Sequence, residues 1–324
     1  MPVGAALELA DKKAKYDTQA KILLSYKPVL GKILKLTLPE FKDVPDPSIY
    51  IHDGIQVGVV AVDPDVPDLD SQEVGYRRLP IEVGVKLPIG TESNDMKSGR
   101  IYYDVVFTVD IPGKKKPRKV YVNIEQQVTT KPGYPIVTRG IYYLCRMISA
   151  QKEVEFKGEQ YGKIKKCYSI WICPDAQENT ITSYKIEKND LYEKSNVQPR
   201  SYDKLECIVC NFTAGVEGNE LLRFLDTLFS KEKSLDERKK VLSEAYGMVL
   251  DEEMEGTVRE MCNLSDGIFN SGISIGAIRE AIKIYDDEMH LTPGEIIAKI
   301  TVRFGLEEKD ATKYVEETLD LQTA

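Results

Sequence analysis

The sequence predicts an α/β chain that ends in a helical region, on three observations. A strand hairpin occupies 101–128, further strand-like runs follow an amphipathic segment at 137–151, and beyond 214 the signals are helical. Near the N-terminus, Ile22, Leu23, Val29, Leu30, Ile33 and Leu34 recur at helical intervals over 16–36, with Pro28 dividing the stretch into two short helices. A strand is expected at 57–62. An acidic, proline-broken loop is expected at 63–73, whose DPDVPDLD lacks the glycine and terminal glutamate of a calcium-binding loop. Two strands, 101–111 and 118–128, are joined by Pro-Gly-Lys-Lys-Lys-Pro, a run of turn formers. After KPGYP comes a helix at 137–151 with Ile141, Leu144 and Ile148 on one side; strands return at 167–172, 180–186 and 205–212. Ser234-Leu-Asp-Glu237 and Thr292-Pro-Gly-Glu295 read as capping boxes, the second with proline at the first helical position. A boundary is therefore expected at 214, with 1–214 as one domain and 215–324 as a helical assembly or packing region.

Composition narrows the chemistry. Hydrophobic residues make up 42% and charged residues 30% of the 324, a globular balance with no spanning segment, and the N-terminus turns charged too early for a secretory signal. A cytoplasmic protein is expected. Four of the six cysteines (Cys167, Cys173, Cys207, Cys210) lie in apolar runs and read as small buried hydrophobes. Cys207 and Cys210 spell CxxC, but no second pair completes a zinc site, and strand parity sends them to opposite faces. With only His52 and His290, both read as surface or loop residues, there is no paired-His metal site and no Ser-His-Asp set. The net charge of −8 argues against a general nucleic-acid coat protein.

Alternation along the hairpin singles out three polar side chains. Tyr102, Asp104, Val106, Thr108 and Asp110 share one face of the first strand; Tyr121, Asn123, Glu125 and Gln127 share one face of the second. If Ile111 pairs with Arg118 across the six-residue loop, Asp104 falls opposite Glu125. Like charges about 5 Å apart at Cβ are destabilising. Either a hard divalent cation compensates them, or one carboxylate pairs with a Lys or Arg, or the register differs by a residue or two.

The ordered set of Tyr16-Asp17 with Lys21, RIYYDVVF around Asp104, VNIEQQ around Glu125, RGIYYLCRMISAQ from Arg139 to Gln151, and YGKIKKCYSIWI from Tyr161 resembles the PD-(D/E)XK nuclease superfamily. Within it, the chain is similar to the recombination-promoting nuclease / putative transposase family, over roughly residues 16–175. The resemblance implies a restriction-endonuclease-like core, a mixed β-sheet flanked by helices, for 1–214. It also implies Mg²⁺ (or Mn²⁺) held by Asp104 and Glu125 with Asp17 as a helix-borne helper. Three positions depart from the pattern: Gln127 stands where the superfamily has Lys, Tyr16 where His is common, and Ala20 where Phe is usual.

The activity so implied is metal-dependent DNA endonuclease chemistry of the transposase-associated type, a phosphodiester hydrolysis. Gln127 would orient the attacking water, and Lys21, on the helix face of Asp17, would supply the missing positive charge. Lys114, Lys115, Lys116 and Arg118 at the hairpin turn, with Arg139 and Gln151, are the candidate DNA-binding residues; Arg139 and Gln151 serve equally as partners of the carboxylates. The expected partners are DNA and a second copy of the chain, with neither membrane nor nucleotide cofactor. The alternatives are a catalytically inactive DNA-binding relative, marked by Gln127, and an interaction protein, marked by the acidic charge and the helical tail.

Overall fold

The computed structural model describes residues 3–61, 101–113, 117–127, 132–230 and 232–319. In order, these residues form α1 (Val3–Ser25), α2 (Lys27–Thr37), β1 (Gln56–Ala61), β2 (Ile101–Ile111), β3 (Arg118–Gln126), α3 (Ile136–Ser149), β4 (Cys167–Cys173), β5 (Thr180–Lys185) and α4 (Pro199–Tyr202). They continue with β6 (Leu205–Asn211), α5 (Glu220–Phe229), α6 (Leu235–Tyr246), α7 (Glu252–Lys283), α8 (Pro293–Phe304) and α9 (Glu308–Thr318). The acidic loop expected at 63–73 and the lysines at 114–116 lie outside the described residues.

The strands make one mixed six-stranded sheet in the order β1-β2-β3-β4-β6-β5. The pairs β1–β2, β2–β3 and β5–β6 are antiparallel, and β3–β4 and β4–β6 parallel. Residue chemistry sets the positions. The run CYSIWIC of β4 is buried along its whole length, as an inner parallel strand covered on both faces must be. TITSYK of β5 is largely exposed and takes the edge. The hairpin register is the one its loop length predicts, from Ile111 opposite Arg118 to Val105 opposite Ile124.

Helix α3 spans the β3–β4 crossover and lays Tyr143, Leu144 and Met147 against Tyr103, Val106, Tyr121, Cys167, Trp171, Cys207 and Val209. Its buried stripe is Gly140, Tyr143, Leu144 and Met147, the spacing of one helical face. Ile141, expected on that side, is exposed, because it lies a residue off the stripe. A Cβ at position 140 would sit 2.5 Å from Cys207 Sγ and 2.8 Å from Trp171 Nε1, so glycine is what lets the helix approach. The break near Pro28 is real: Tyr26 leaves helical geometry and Pro28 opens α2.

Tertiary packing groups the chain into two compact units, residues 20–257 and residues 1–19 with 258–324. The division does not run at 214/215, where the sequence turns from strand to helix. Within the larger unit α5 packs on α2, and Lys32 of α2 reaches Glu220 at 3.3 Å. In the smaller unit Ile278, Ile282, Ile296, Ile300, Ala311, Tyr314 and Val315 form a core of their own. Both capping boxes form, Ser234 with Glu237 and Thr292 with Glu295. Among the described residues, no helix is long and apolar enough to cross a membrane.

Candidate active site

At the open end of the β2–β3 hairpin the backbone pairing last seen at Val105 and Ile124 gives way to side chains. The Asp104 N–H donates to Glu125 Oε1 at 3.1 Å, and the Gln126 N–H donates to Asp104 Oδ2 at 2.9 Å. Each carboxylate thus clamps the opposite strand, and the two acids are drawn together across it. Both are buried, Asp104 at 5% and Glu125 at 1% exposure, so neither is relieved by bulk water.

Cations answer this charge from two sides. Lys21 Nζ, from the last turns of α1, lies 3.0 Å from Asp104 Oδ1. Burial pushes the Glu125 carboxyl well above its usual range, and the neighbouring Asp104 charge pushes it further. The Asp104 N–H, the Arg139 charge and Asn123 act in the opposite direction.

Arg139 stands in an aromatic sleeve. Its Nε and Nη2 donate to Tyr143 Oη at 3.0 and 2.5 Å, and its Nη1 donates to Tyr134 Oη. The guanidinium lies 4.9 Å from the Tyr134 ring centroid, 5.0 Å from Tyr143 and 5.6 Å from Trp171. Trp171 is the cross-strand partner of Glu125 on β4. Of the two roles expected for Arg139, the sleeve places its charge where it acts on Glu125.

The other candidates are placed as follows. Gln127 is buried and donates its N–H to Ile172 O at 2.8 Å, prolonging the β3–β4 pairing. Asp17 is half-buried on α1 one turn before Lys21, in the part of the helix that belongs to the smaller unit. Gln151 is buried, donates to Lys165 O at 3.1 Å and Cys167 Sγ at 3.2 Å, and accepts from the Lys165 N–H at 2.7 Å. Its amide fastens the loop before β4. Arg118 lies at the turn end of the hairpin, seven residues of strand or about 24 Å from Asp104. Arg118 is thus remote from the two carboxylates.

The site also contains residues of the motif segments to which the sequence alone assigns no role. Asn123, two residues before Glu125 on the same face, donates to Ser169 Oγ at 3.2 Å, and Trp171 Nε1 donates to the same oxygen at 2.9 Å. Strand parity was the available signal for Asn123. Ser169 and Trp171 lie in the YGKIKKCYSIWI segment, but their places come from the parallel register of β3 with β4, which no local pattern encodes. The amide oxygens Asn123 Oδ1 and Gln126 Oε1 are buried without a hydrogen-bond partner.

This donor set is hard oxygen throughout, which suits Mg²⁺ or Mn²⁺ better than zinc. Among the described residues no three His, Cys, Asp or Glu side chains converge, so the remaining ligands would be water and substrate oxygens, as is usual for Mg²⁺. Thiol chemistry is disfavoured: burial pushes Cys167, Cys173, Cys207 and Cys210 each up to about 12. His52 is held away from this site by Thr108 at 2.9 Å and Asp110 at 3.1 Å, and His290 is exposed. The chain matches no family model, no curated protein and no solved structure.

Proposed function

We propose that the protein is a Mg²⁺- or Mn²⁺-dependent DNA endonuclease of the PD-(D/E)XK type, acting in the cytoplasm as a homodimer. The observation that carries this reading is the convergence of two buried carboxylates, Asp104 and Glu125, with Lys21 3.0 Å from the first. Burying like charges side by side costs stability, and proteins retain such arrangements chiefly where they do chemistry. A divalent cation bound between them supplies Lewis-acid activation of a phosphodiester and of water.

The chain's own groups do the rest. Asp104 and Glu125 would hold the ion, and the strand N–H groups of Asp104 and Gln126 fix the carboxylate rotamers. Lys21 offers an ammonium to a non-bridging phosphate oxygen. Gln127, a neutral amide where the superfamily has lysine, can orient water by hydrogen bonding but cannot stabilise developing negative charge as a cation does. Cutting both strands of a duplex requires two such sites, which is the reason for proposing a dimer.

Plasmid nicking in millimolar Mg²⁺ tests the reading. Asp104→Ala and Glu125→Ala should each slow it by at least about 100-fold, with cooperative thermal unfolding retained. Nicking at the wild-type rate by both variants would overturn the assignment. The ion pair between Lys21 and Asp104 favours a second reading, a site closed by its own lysine that binds DNA without cutting. Metal-independent DNA binding without cleavage in Mg²⁺ or Mn²⁺ would select it.

A further inference from the structure

The sleeve around Arg139 reaches β2, which carries Asp104, and β4, whose Trp171 pairs with Glu125. Its guanidinium is hydrogen-bonded by the Tyr134 and Tyr143 hydroxyls and lies over Trp171, the residue that pairs with Glu125 across β3–β4. On the other side, Tyr143 meets Tyr103 edge-on at 5.1 Å, and Tyr103 Oη donates to the Tyr143 carbonyl at 3.2 Å. Tyr103 immediately precedes Asp104. A planar, permanently charged group is thus fixed by rigid rings between Tyr103, the neighbour of Asp104 on β2, and Trp171, the β4 partner of Glu125. That is more constraint than a flexible phosphate-gripping arginine would have.

We propose that Arg139 is a positioning residue of the metal site: its fixed guanidinium provides, beside Glu125, the cationic charge absent at Gln127, and it sets how tightly a divalent ion binds between Asp104 and Glu125. The inference rests on the reading of those two acids as metal ligands. A permanent cation beside the pair repels a bound dication and so weakens its binding, while adding positive potential where negative charge develops on the substrate. Since a dication is repelled twice as strongly as a competing proton, the sign survives proton competition. Removing the charge should therefore tighten the metal and slow the reaction together. Simple loss of structure would weaken both.

The test is direct Mn²⁺ binding by electron paramagnetic resonance on the full chain, alongside nicking kinetics, for the wild type, Arg139→Gln and Arg139→Lys, with Asp104→Ala as the control for site-specific binding. Arg139→Gln should bind Mn²⁺ about 3–10-fold more tightly, with kcat down about 10–100-fold and KM for DNA unchanged within about twofold. Arg139→Lys, which keeps the charge, should bind Mn²⁺ close to the wild-type value. Unchanged or weaker Mn²⁺ binding by Arg139→Gln, or a rise in KM for DNA with kcat intact, overturns the proposal and leaves the metal site standing. No Asp104-dependent Mn²⁺ binding in the wild type removes the metal site and the proposal with it. Should Arg139→Gln lose its cooperative melt, Tyr134→Phe takes its place, deleting one hydroxyl that holds the guanidinium. A lower kcat at constant KM supports the proposal, and an unchanged kcat overturns it.

Discussion

The two ends of the β2–β3 hairpin handle charge in opposite ways. At the turn end Arg118 meets Glu40 at 3.4 Å, Lys119 meets Glu155 at 2.5 Å, and Lys166, just before β4, lies 2.8 Å from both Asp203 and Glu206. Each acid there is paired with a cation. Burial pushes Glu155 up, but the hydrogen bonds from Lys119 and Tyr121 outweigh it and hold the carboxyl below its usual range. At the open end two acids occupy one buried space, and Glu125 is displaced upward. Pairing acids with cations stabilises a fold modestly; crowding acids together destabilises it, and the usual reason to keep such an arrangement is a ligand that relieves it.

The largest effect on stability is expected from what closes the open end. Gly140→Ala would drive a methyl into Cys207 and Trp171, both fully buried, with no flexible side-chain end to yield. Overpacking of this kind costs about 2 kcal/mol, a fall of about 4–8 °C in Tm for a unit of this size. Because Arg139 precedes this glycine, nicking should fall as well. A Tm within a degree of the wild type would show that α3 is not held as closely against β4 as the contacts indicate.

Gly140 also shows where sequence reasoning stops. The hairpin, its register and the meeting of Asp104 with Glu125 followed from alternation and loop length, both local properties. The capping boxes were legible for the same reason. The non-local pairings were not. That Trp171 stands beside Glu125 depends on the parallel register of β3 with β4, more than forty residues apart, which no local pattern encodes. Gln151, expected to contact DNA or to partner the carboxylates, hydrogen-bonds the backbone of Lys165, a loop contact that no local pattern encodes. The strand-to-helix change at 214 marks a change of element and not of core, since α5 completes the packing around α2.

A smaller effect should distinguish the ends by pH. Glu125, ordinarily near 4.5, is raised in the folded chain. Its contribution to stability is present in full below the unfolded value and is lost as pH rises through the folded one. In the absence of metal, Glu125→Gln should therefore gain in Tm over the wild type progressively as pH climbs from about 4.5. Mg²⁺ should narrow that gap by stabilising only the wild type. Glu155 is shifted the other way, so its contribution is lost as pH falls through its lowered value. A Tm difference between Glu125→Gln and wild type that does not vary with pH would mean that the crowding at the open end is relieved by some group other than a proton or a metal.

The smallest effect belongs to Arg118, and it separates stability from binding. Its guanidinium side chain is 59% exposed and 3.4 Å from Glu40, so Arg118→Gln should alter stability by less than about 0.5 kcal/mol. Its effect on DNA should depend on length. Arg118 is about 24 Å from Asp104 along the strand, which on a duplex lying along the hairpin corresponds to about seven base pairs. A phosphate gripped at Arg118 can therefore not be the one being cut. For duplexes extending more than about seven base pairs past the nick, Arg118→Gln should reduce the slope of log affinity against log salt by about one unit. For shorter duplexes the slope should stay as in the wild type. An equal reduction at every length would place the scissile phosphate near the basic turn, and would transfer the chemistry away from Asp104 and Glu125.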